Sequence, residues 1–330
     1  MGKAAAARRL ASAAAFGGGG LSVLGAGLYG VLRGEAALAR RMIGNAGDQP
    51  PPDSTGWYGR GRPGPAISLA LLGDSSAAGY GVEQIVETPG AFLASGLAEQ
   101  ADRRVHLRTY ARVGAQSCDL EGQIDRALSS GPDLAVILIG ANDVTHRVRP
   151  SQSVRYLSEA VRRLVGAGVK VLVGTCPDLG TVKPIPPPLK QVARSMSRRL
   201  AAAQAIVVVE QGGVAVSMGS ILGPDFAAAP AVLFGPDQFH PSVDGYRAVA
   251  EVLVPSAVNA LGFAADEPHR RTAGEGTMPV ATAAVEAART PGTELGDKKG
   301  LWVELRRRAR MRSDPEAPQD VEDEGAVSDA

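Results

Sequence analysis

The chain has 330 residues, and its 35 Lys and Arg against 34 Asp and Glu give a formal net charge of +1. This near-neutral balance argues against a dedicated nucleic-acid binder, because such proteins normally show a basic excess. Hydrophobic residues at 45% and charged residues at 21% exclude a wholly disordered chain. The two cysteines cannot form a disulfide framework, and no paired Cys/His spacing indicates a zinc site.

The N-terminus has the pattern of a membrane or export segment. Residues 10–32 form 23 positions without a charge, and they follow Lys3, Arg8 and Arg9. This run is long enough to cross a bilayer core of about 30 Å. It is also longer than the apolar region of most signal peptides, which is about 7–15 residues. We therefore favour an uncleaved anchor, while a cleaved signal peptide and an Ala-rich soluble helix remain open.

These patterns divide the chain into four parts. Residues 1–47 form the anchor or signal segment, which predicts a membrane-attached or exported protein, with the extracytoplasmic side favoured. The Pro/Gly-rich stretch 48–65 is predicted to be a linker. Residues 66–264 form the folded domain. The charged stretch 265–330 is predicted to be a disordered tail, although a short helix on an anionic membrane is an alternative for its basic part.

Short apolar runs alternate with helical patterns within the domain. Runs that are almost continuously apolar and separated by helices indicate a parallel sheet covered on both faces. The last helix is predicted to run from about Ser242 to Leu261. The five predicted strands are Ile67–Leu72, Val105–Tyr110, Leu134–Ile139, Val169–Val173 and Val214–Met218.

Polar residues and glycines follow these strands, at the edge where open parallel sheets bind ligands. The segments are Gly73-Asp74-Ser75-Ser76, Arg112-Val113-Gly114-Ala115, Gly140-Ala141-Asn142-Asp143 and, before the last helix, Asp237-Gln238-Phe239-His240-Pro241. The segment Thr175-Cys176-Pro177-Asp178 follows the fourth strand and is expected to line the same pocket, without a chemical role that the sequence assigns.

Together these segments supply the parts of an acyl-transfer site. Ser75 can attack a carbonyl if His240 takes its proton, and Asp237 can orient that imidazole from three residues away. The resulting oxyanion needs preorganised donors. The backbone N–H groups of Ser75 and Gly114 and the side-chain amide of Asn142 are the candidates.

These four segments, in this order, resemble the SGNH/GDSL hydrolase superfamily over roughly residues 66–261. The resemblance implies a flavodoxin-like three-layer α/β/α sandwich with a five-stranded parallel sheet, and no metal or organic cofactor. It also implies that Ser75, Asp237 and His240 form the triad, with Ser75, Gly114 and Asn142 at the oxyanion. The first segment departs from the family pattern, since it reads Gly-Asp-Ser-Ser rather than Gly-Asp-Ser-Leu.

The predicted function is hydrolysis of carboxylic esters with small or medium acyl chains, because no large lid insertion separates the segments. Deacetylation of a carbohydrate or cell-wall glycan is an alternative that uses the same triad. A non-catalytic, membrane-anchored binding protein with this fold is a third possibility. The two cysteines, Cys118 and Cys176, are expected to remain free thiols, because they follow strands that are not neighbours in a flavodoxin-like order.

Overall fold

A computed structural model describes residues 27–38, 50–263, 285 and 289. Within them a six-stranded sheet has the order β1-β3-β2-β4-β5-β6. Five strands pair in parallel as predicted, and β1 pairs with β3 in the antiparallel direction. The strands are β1 (Gly56–Tyr58), β2 (Ile67–Gly73), β3 (Val105–Thr109), β4 (Leu134–Leu138), β5 (Lys170–Gly174) and β6 (Val214–Val216).

Strand β1 lies inside the stretch that the sequence indicated to be a linker, so the folded domain begins before residue 66. It is held by more than its pairing with β3. Trp57 stacks on His106 with ring centroids 4.6 Å apart, and the buried Ser54 hydroxyl bonds that of Thr109 at 3.0 Å. This strand was not predicted from the sequence, because it lies among prolines and glycines and only two of its three residues are typical strand formers.

Helices cover the sheet on both faces, which gives the predicted three layers. The β-branched run 206–209 belongs to a helix, and the fifth predicted strand lies at 214–216. The helices are α1 (Ser75–Ala78), α2 (Pro89–Ala101), α3 (Leu120–Leu128), α4 (Ala141–Thr145), α5 (Pro150–Gly166), α6 (Leu189–Glu210), α7 (Met218–Ile221), α8 (Gly223–Ala228), α9 (Pro230–Leu233) and α10 (Val243–Ala260).

The core divides into two apolar clusters because strand side chains alternate between the faces of the sheet. Leu69 and Leu71 of β2 belong to the cluster under α2 and α10, whereas Ala70 and Leu72 belong to the cluster under α3 and α5. Each face of β2 is therefore packed against helices. This explains why the strand is apolar at almost every position rather than at every second one.

The strand order sets the place of a ligand site. Strand β2 lies between β3 and β4, so the chain leaves β2 toward one side of the sheet and later continues on the other. The carboxyl ends of strands at such a reversal border an open crevice. Ser75, directly after β2, is thereby placed at this crevice. The same order separates Cys118 from Cys176 by two strands, and both are free thiols as predicted.

The N-terminal and C-terminal segments are described only in small part. Residues 27–38 are helical. Most of the predicted anchor or signal segment 1–47 and nearly all of the predicted tail 265–330 lie outside the described residues. Of the helices that the structure does describe, none combines the length and apolar character needed to cross a bilayer.

We predict that Gly73→Ala destabilises the domain by more than about 2 kcal/mol. Gly73 has a φ of +135°, and a Cβ atom there would lie 1.9 Å from the backbone oxygen of Leu138 on the paired strand. Urea denaturation followed by circular dichroism measures the loss.

The matched control is Gly122→Ala in the exposed surface of α3, where an added Cβ meets no atom within 4 Å. That variant should be neutral or more stable by up to about 1 kcal/mol. Equal stability of the two variants would contradict a close approach at Gly73.

Candidate active site

Ser75 stands at the junction between the central strand and a short helix. Strand β2 ends at Gly73, and Asp74 caps α1 by accepting a hydrogen bond from the Ser76 amide at 2.9 Å. Ser75 is therefore the first helical residue, and only 7% of it is exposed. The turn after β2 thus fixes the serine at the carboxyl-end edge of the sheet.

His240 and Asp237 reach Ser75 from the loop that precedes α10. The Nε2 atom of His240 lies 3.0 Å from the Ser75 hydroxyl, although the two residues are 165 positions apart. On the other side of the ring, Nδ1 lies 2.6 Å from Oδ2 of Asp237. Because the carboxylate can only accept, Nδ1 carries the proton and Nε2 is left to accept the serine proton.

The loop itself holds the Asp237 carboxylate in place. Its Oδ1 atom accepts hydrogen bonds from the backbone amides of Phe239 and His240, each at 3.0 Å. Burial opposes ionisation, but the bonds from the His240 ring and the two amides outweigh it, so the pKa of Asp237 lies below its ordinary value. Asp237 therefore stays a carboxylate that can accept from the imidazole and stabilise its protonated form.

Two aromatic rings shield the imidazole from water. Tyr80 and Phe239 pack edge-on against His240, with ring centroids 4.7 and 5.1 Å away. Only 14% of the His240 side chain is exposed. Electrostatic interactions within the Asp237–His240–Ser75 chain are stronger in such a partly dry setting than they would be in water.

The two other predicted residues lie on neighbouring loops of the same edge. The Asn142 side chain donates one amide hydrogen to the carbonyl of Ala115 at 3.0 Å, which leaves its second amide hydrogen for another acceptor. Gly114 precedes Ala115 in a turn and has a φ of +79°. Asn142 lines a cavity with Ser75 and His240. Gly114 lies next to Asn142, because the following residue, Ala115, accepts the hydrogen bond from the Asn142 side chain.

Two buried glutamines that hold the strand ends were not predicted from the sequence. Gln123 of α3 accepts from the Gly73 amide at 2.7 Å and donates to its carbonyl at 2.9 Å. Gln204 of α6 accepts from Cys176 N at 2.7 Å and donates to Ile139 O at 3.1 Å. Each glutamine is a polar residue on the apolar face of its helix, and a buried side-chain amide needs hydrogen-bond partners. This pattern in the sequence could have identified both residues.

A cavity of about 100 Å³ opens beside the Ser75 hydroxyl. Most of its wall is apolar and comes from the loop after β5 and from the short helices after β6. Six side chains form this wall: Leu179, Val182, Met218, Leu222, Phe226 and Phe234. The cavity can hold an apolar group attached to a carbonyl at Ser75, because hydrophobic side chains form most of its wall.

Asp74 is a buried carboxyl with an altered acidity. Burial raises its pKa to about 6, although bonds from Ser76 and the nearby His240 oppose the rise. Since the pKa in the folded state exceeds the ordinary value of 3.8, folding disfavours the ionised form. This cost is absent near pH 4, grows as the pH rises toward 6, and is complete above it. A shift of about two units corresponds to roughly 3 kcal/mol.

We therefore predict that Asp74→Asn is more stable than the wild type above pH 7, by up to about 3 kcal/mol, and that the gain vanishes near pH 4. Asparagine keeps a side-chain oxygen for the helix cap, so the substitution removes mainly the charge. Urea denaturation at pH values from 4 to 8 measures the difference. Asp244→Asn, at a half-exposed position paired with Arg247, controls for removing a carboxyl group. A gain independent of pH would contradict the prediction.

Known proteins are similar to this chain. The model of the GDSL-like lipase/acylhydrolase family matches residues 71–248. A relative from Mycobacterium tuberculosis (strain ATCC 25618 / H37Rv), the GDSL-like esterase Rv1075c, is 41% identical over 275 residues, which cover 80% of this chain and 86% of that protein.

Two solved structures are also similar to this chain. An acetylxylan esterase from Geobacillus stearothermophilus, Axe2, is 18% identical and has a TM-score of 0.44, with 60% of this chain and 95% of that chain covered. TesA is 20% identical with a TM-score of 0.45, over 59% of this chain and 98% of that one. The family model and the Mycobacterium relative together show that this chain belongs to the GDSL-like lipase/acylhydrolase family of ester hydrolases.

Proposed function

We propose that the protein hydrolyses carboxylic esters with short or medium acyl chains, through an acyl-enzyme on Ser75. The observation that carries this proposal is the continuous chain from Asp237 to His240 at 2.6 Å and from His240 to Ser75 at 3.0 Å. A serine hydroxyl is a weak nucleophile until a base removes its proton. The histidine is held in the tautomer that can do so.

In the first half of the proposed reaction, Ser75 Oγ attacks the ester carbonyl carbon while its proton moves to Nε2 of His240. The carbonyl oxygen becomes an oxyanion, which the amides of Ser75 and Gly114 and the side chain of Asn142 stabilise. The tetrahedral species then collapses, the ester C–O bond breaks, and His240 gives its proton to the leaving alkoxide. The alcohol leaves and the acyl group remains on Ser75.

In the second half, water takes the place of the alcohol. His240 removes a proton from the water as it attacks the acyl-enzyme, and the same donors stabilise the second oxyanion. Collapse breaks the bond to Ser75 Oγ, which takes the proton back from His240 and releases the carboxylic acid. Asp237 keeps the imidazolium oriented in both halves without accepting its proton.

The size of the cavity supports the short or medium acyl chain. An apolar cavity of about 150 Å³ holds a benzene molecule. The cavity beside Ser75 measures about 100 Å³ and by this comparison takes an acyl chain of roughly two to six carbons. The alcohol portion of the ester would lie on the open side of Ser75, and none of the contacts above restricts it.

Deacetylation of a carbohydrate is a second candidate. The cavity admits an acetyl group, and the chemistry on Ser75 would be the same, with a sugar hydroxyl as the leaving group. The two candidates differ only in the alcohol, so turnover of acetylated oligosaccharides against simple alkyl esters separates them.

The proposal also includes where in the cell the protein acts. We propose that residues 1–47 anchor the protein to a membrane or direct its export, so that the ester substrate is met on the extracytoplasmic side. The support is the uncharged run at residues 10–32 and the basic residues before it.

We predict that the full-length protein hydrolyses p-nitrophenyl esters and that Ser75→Ala and His240→Ala each lower kcat/KM by roughly 10⁴- to 10⁶-fold. Steady-state kinetics on acetate, butyrate, hexanoate, octanoate and palmitate esters measures the loss and the chain-length optimum. His106→Ala, which replaces a histidine that stacks on Trp57 and does not line the cavity, is the control and should retain activity. Full activity in the Ser75 variant would exclude the mechanism.

We also predict that Phe226→Ala moves the optimum to acyl chains longer than six carbons. Phe226 lines the cavity and packs edge-on against Phe234 with ring centroids 4.9 Å apart, so its removal deepens the apolar space. The cavity left by such a truncation costs about 3–5 kcal/mol of stability, so Phe226→Leu serves as the milder variant. Phe263→Ala, at a partly exposed ring outside the cavity, is the matched control. An unchanged optimum in both Phe226 variants would place the acyl chain elsewhere.

A further inference from the structure

Thr175 stands on the far wall of the cavity from Ser75. It follows β5 directly, and β4 separates β5 from β2. With strands about 4.8 Å apart, the main chains after β2 and β5 lie about 10 Å from each other. Thr175 lines the same cavity as Ser75 and is 1% exposed. An acyl chain bound to Ser75 and extending along the apolar wall would approach Thr175 a few carbons from its carbonyl.

The other polar side chains on this wall have partners. The Asp178 carboxylate accepts from the Gly180 amide at 2.8 Å and from Arg198 Nε at 3.0 Å. The Thr181 hydroxyl donates to the carbonyl of Asp178 at 2.8 Å. These groups therefore meet their hydrogen-bonding needs within the protein.

The Thr175 hydroxyl differs from them. Its oxygen is completely buried, and the residues that the structure describes offer it no hydrogen-bond partner. A buried hydroxyl without a partner is unfavourable, and each such group in a folded protein calls for an explanation. Rotation about χ1 moves the hydroxyl to another staggered position on Cβ, so the hydroxyl can be turned toward a ligand without moving the backbone.

We propose that Thr175 is a specificity-determining residue that hydrogen-bonds an oxygen substituent on the acyl chain of the substrate. This rests on the proposed ester hydrolysis at Ser75. A hydroxyl or keto oxygen a few carbons from the ester carbonyl completes the hydrogen bond that the free protein lacks. A plain alkyl chain leaves the Thr175 hydroxyl unpaired, and such differences in pairing discriminate strongly between otherwise similar substrates.

The test compares matched esters in the full-length protein and in Thr175→Val, which keeps the shape of threonine without its hydroxyl. The pairs are p-nitrophenyl 3-hydroxybutanoate against butanoate and p-nitrophenyl 4-oxopentanoate against pentanoate. For each enzyme the ratio of kcat/KM within a pair is measured. Comparing these ratios between enzymes cancels the intrinsic reactivity of each ester.

We expect the ratio for at least one pair to fall about tenfold or more in Thr175→Val. Thr175→Ser keeps the hydroxyl and should retain most of the discrimination. Thr181→Val removes a hydroxyl from the same cavity wall that is already bonded, so it should keep the wild-type ratios. Ratios that are the same in Thr175→Val and the wild type for both pairs would overturn the proposal.

A second measurement needs no substrate. If the Thr175 hydroxyl lacks a partner in the free protein, Thr175→Val has an equal or higher melting temperature, because valine does not bury an unpaired hydroxyl. A lower melting temperature for this variant would show that the hydroxyl is already bonded, and would contradict the proposal. Failure of the wild type to cleave any ester would overturn ester hydrolysis as well, whereas Ser75-dependent cleavage with unchanged ratios would remove only the role of Thr175.

Discussion

The close approach of β2 to β4 at Gly73 is the constraint on which the rest of the site depends. A side chain at this residue would meet the Leu138 carbonyl, so the chain can turn from strand to helix here only with glycine. Gln123 then fixes both the amide and the carbonyl of Gly73. The next amide, that of Asp74, donates to the same Leu138 carbonyl at 3.0 Å. Three backbone groups on two consecutive residues are thus held in place before Ser75 begins its helix.

A separate set of hydrogen bonds positions His240. The loop 235–241 closes on itself, because the Gly235 amide donates to the His240 carbonyl at 2.8 Å. Its place relative to Ser75 is set by α10, whose Tyr246 hydroxyl donates to the Tyr80 carbonyl at 2.7 Å, just beyond α1. Tyr246 is fully buried. The long helix α10 therefore fixes the position of the His240 loop relative to the turn that follows Ser75.

The parts that the sequence predicted were those that depend on local patterns. The apolar runs and the residues after them located five strands, and the sequence order placed Ser75, Asn142 and His240 on one edge of the sheet. Strand β1 was not predicted because three residues among prolines leave no periodicity to detect. The apolar wall was not predicted either, since Met218, Leu222 and Phe226 lie on helices too short for a pattern. Their common surface exists only after these helices pack against the loop that follows β5.

The site also shows how differently buried carboxyl groups can be hydrogen-bonded within a small volume. Asp143 accepts from the hydroxyls of Ser117 and Ser153, and Asp178 accepts from Arg198 and the Gly180 amide, so each carboxyl group has more than one donor. Asp237 has the imidazole and two amides. Asp74 caps a helix of only four residues through a single backbone amide, and burial raises its pKa against the bonds from Ser76.

This ordering of partners suits the proposed chemistry. The carboxylate that must remain ionised, Asp237, contacts the group that becomes positive, His240. The carboxyl that adjoins Ser75 in sequence, Asp74, has the fewest donors, so burial favours its neutral form as the pH falls toward 6. Above that pH Asp74 is ionised, and its charge beside the serine would oppose the developing oxyanion, because like charges repel strongly where water is scarce. The acid that supports the proposed reaction therefore has more donors than the acid whose charge would oppose it.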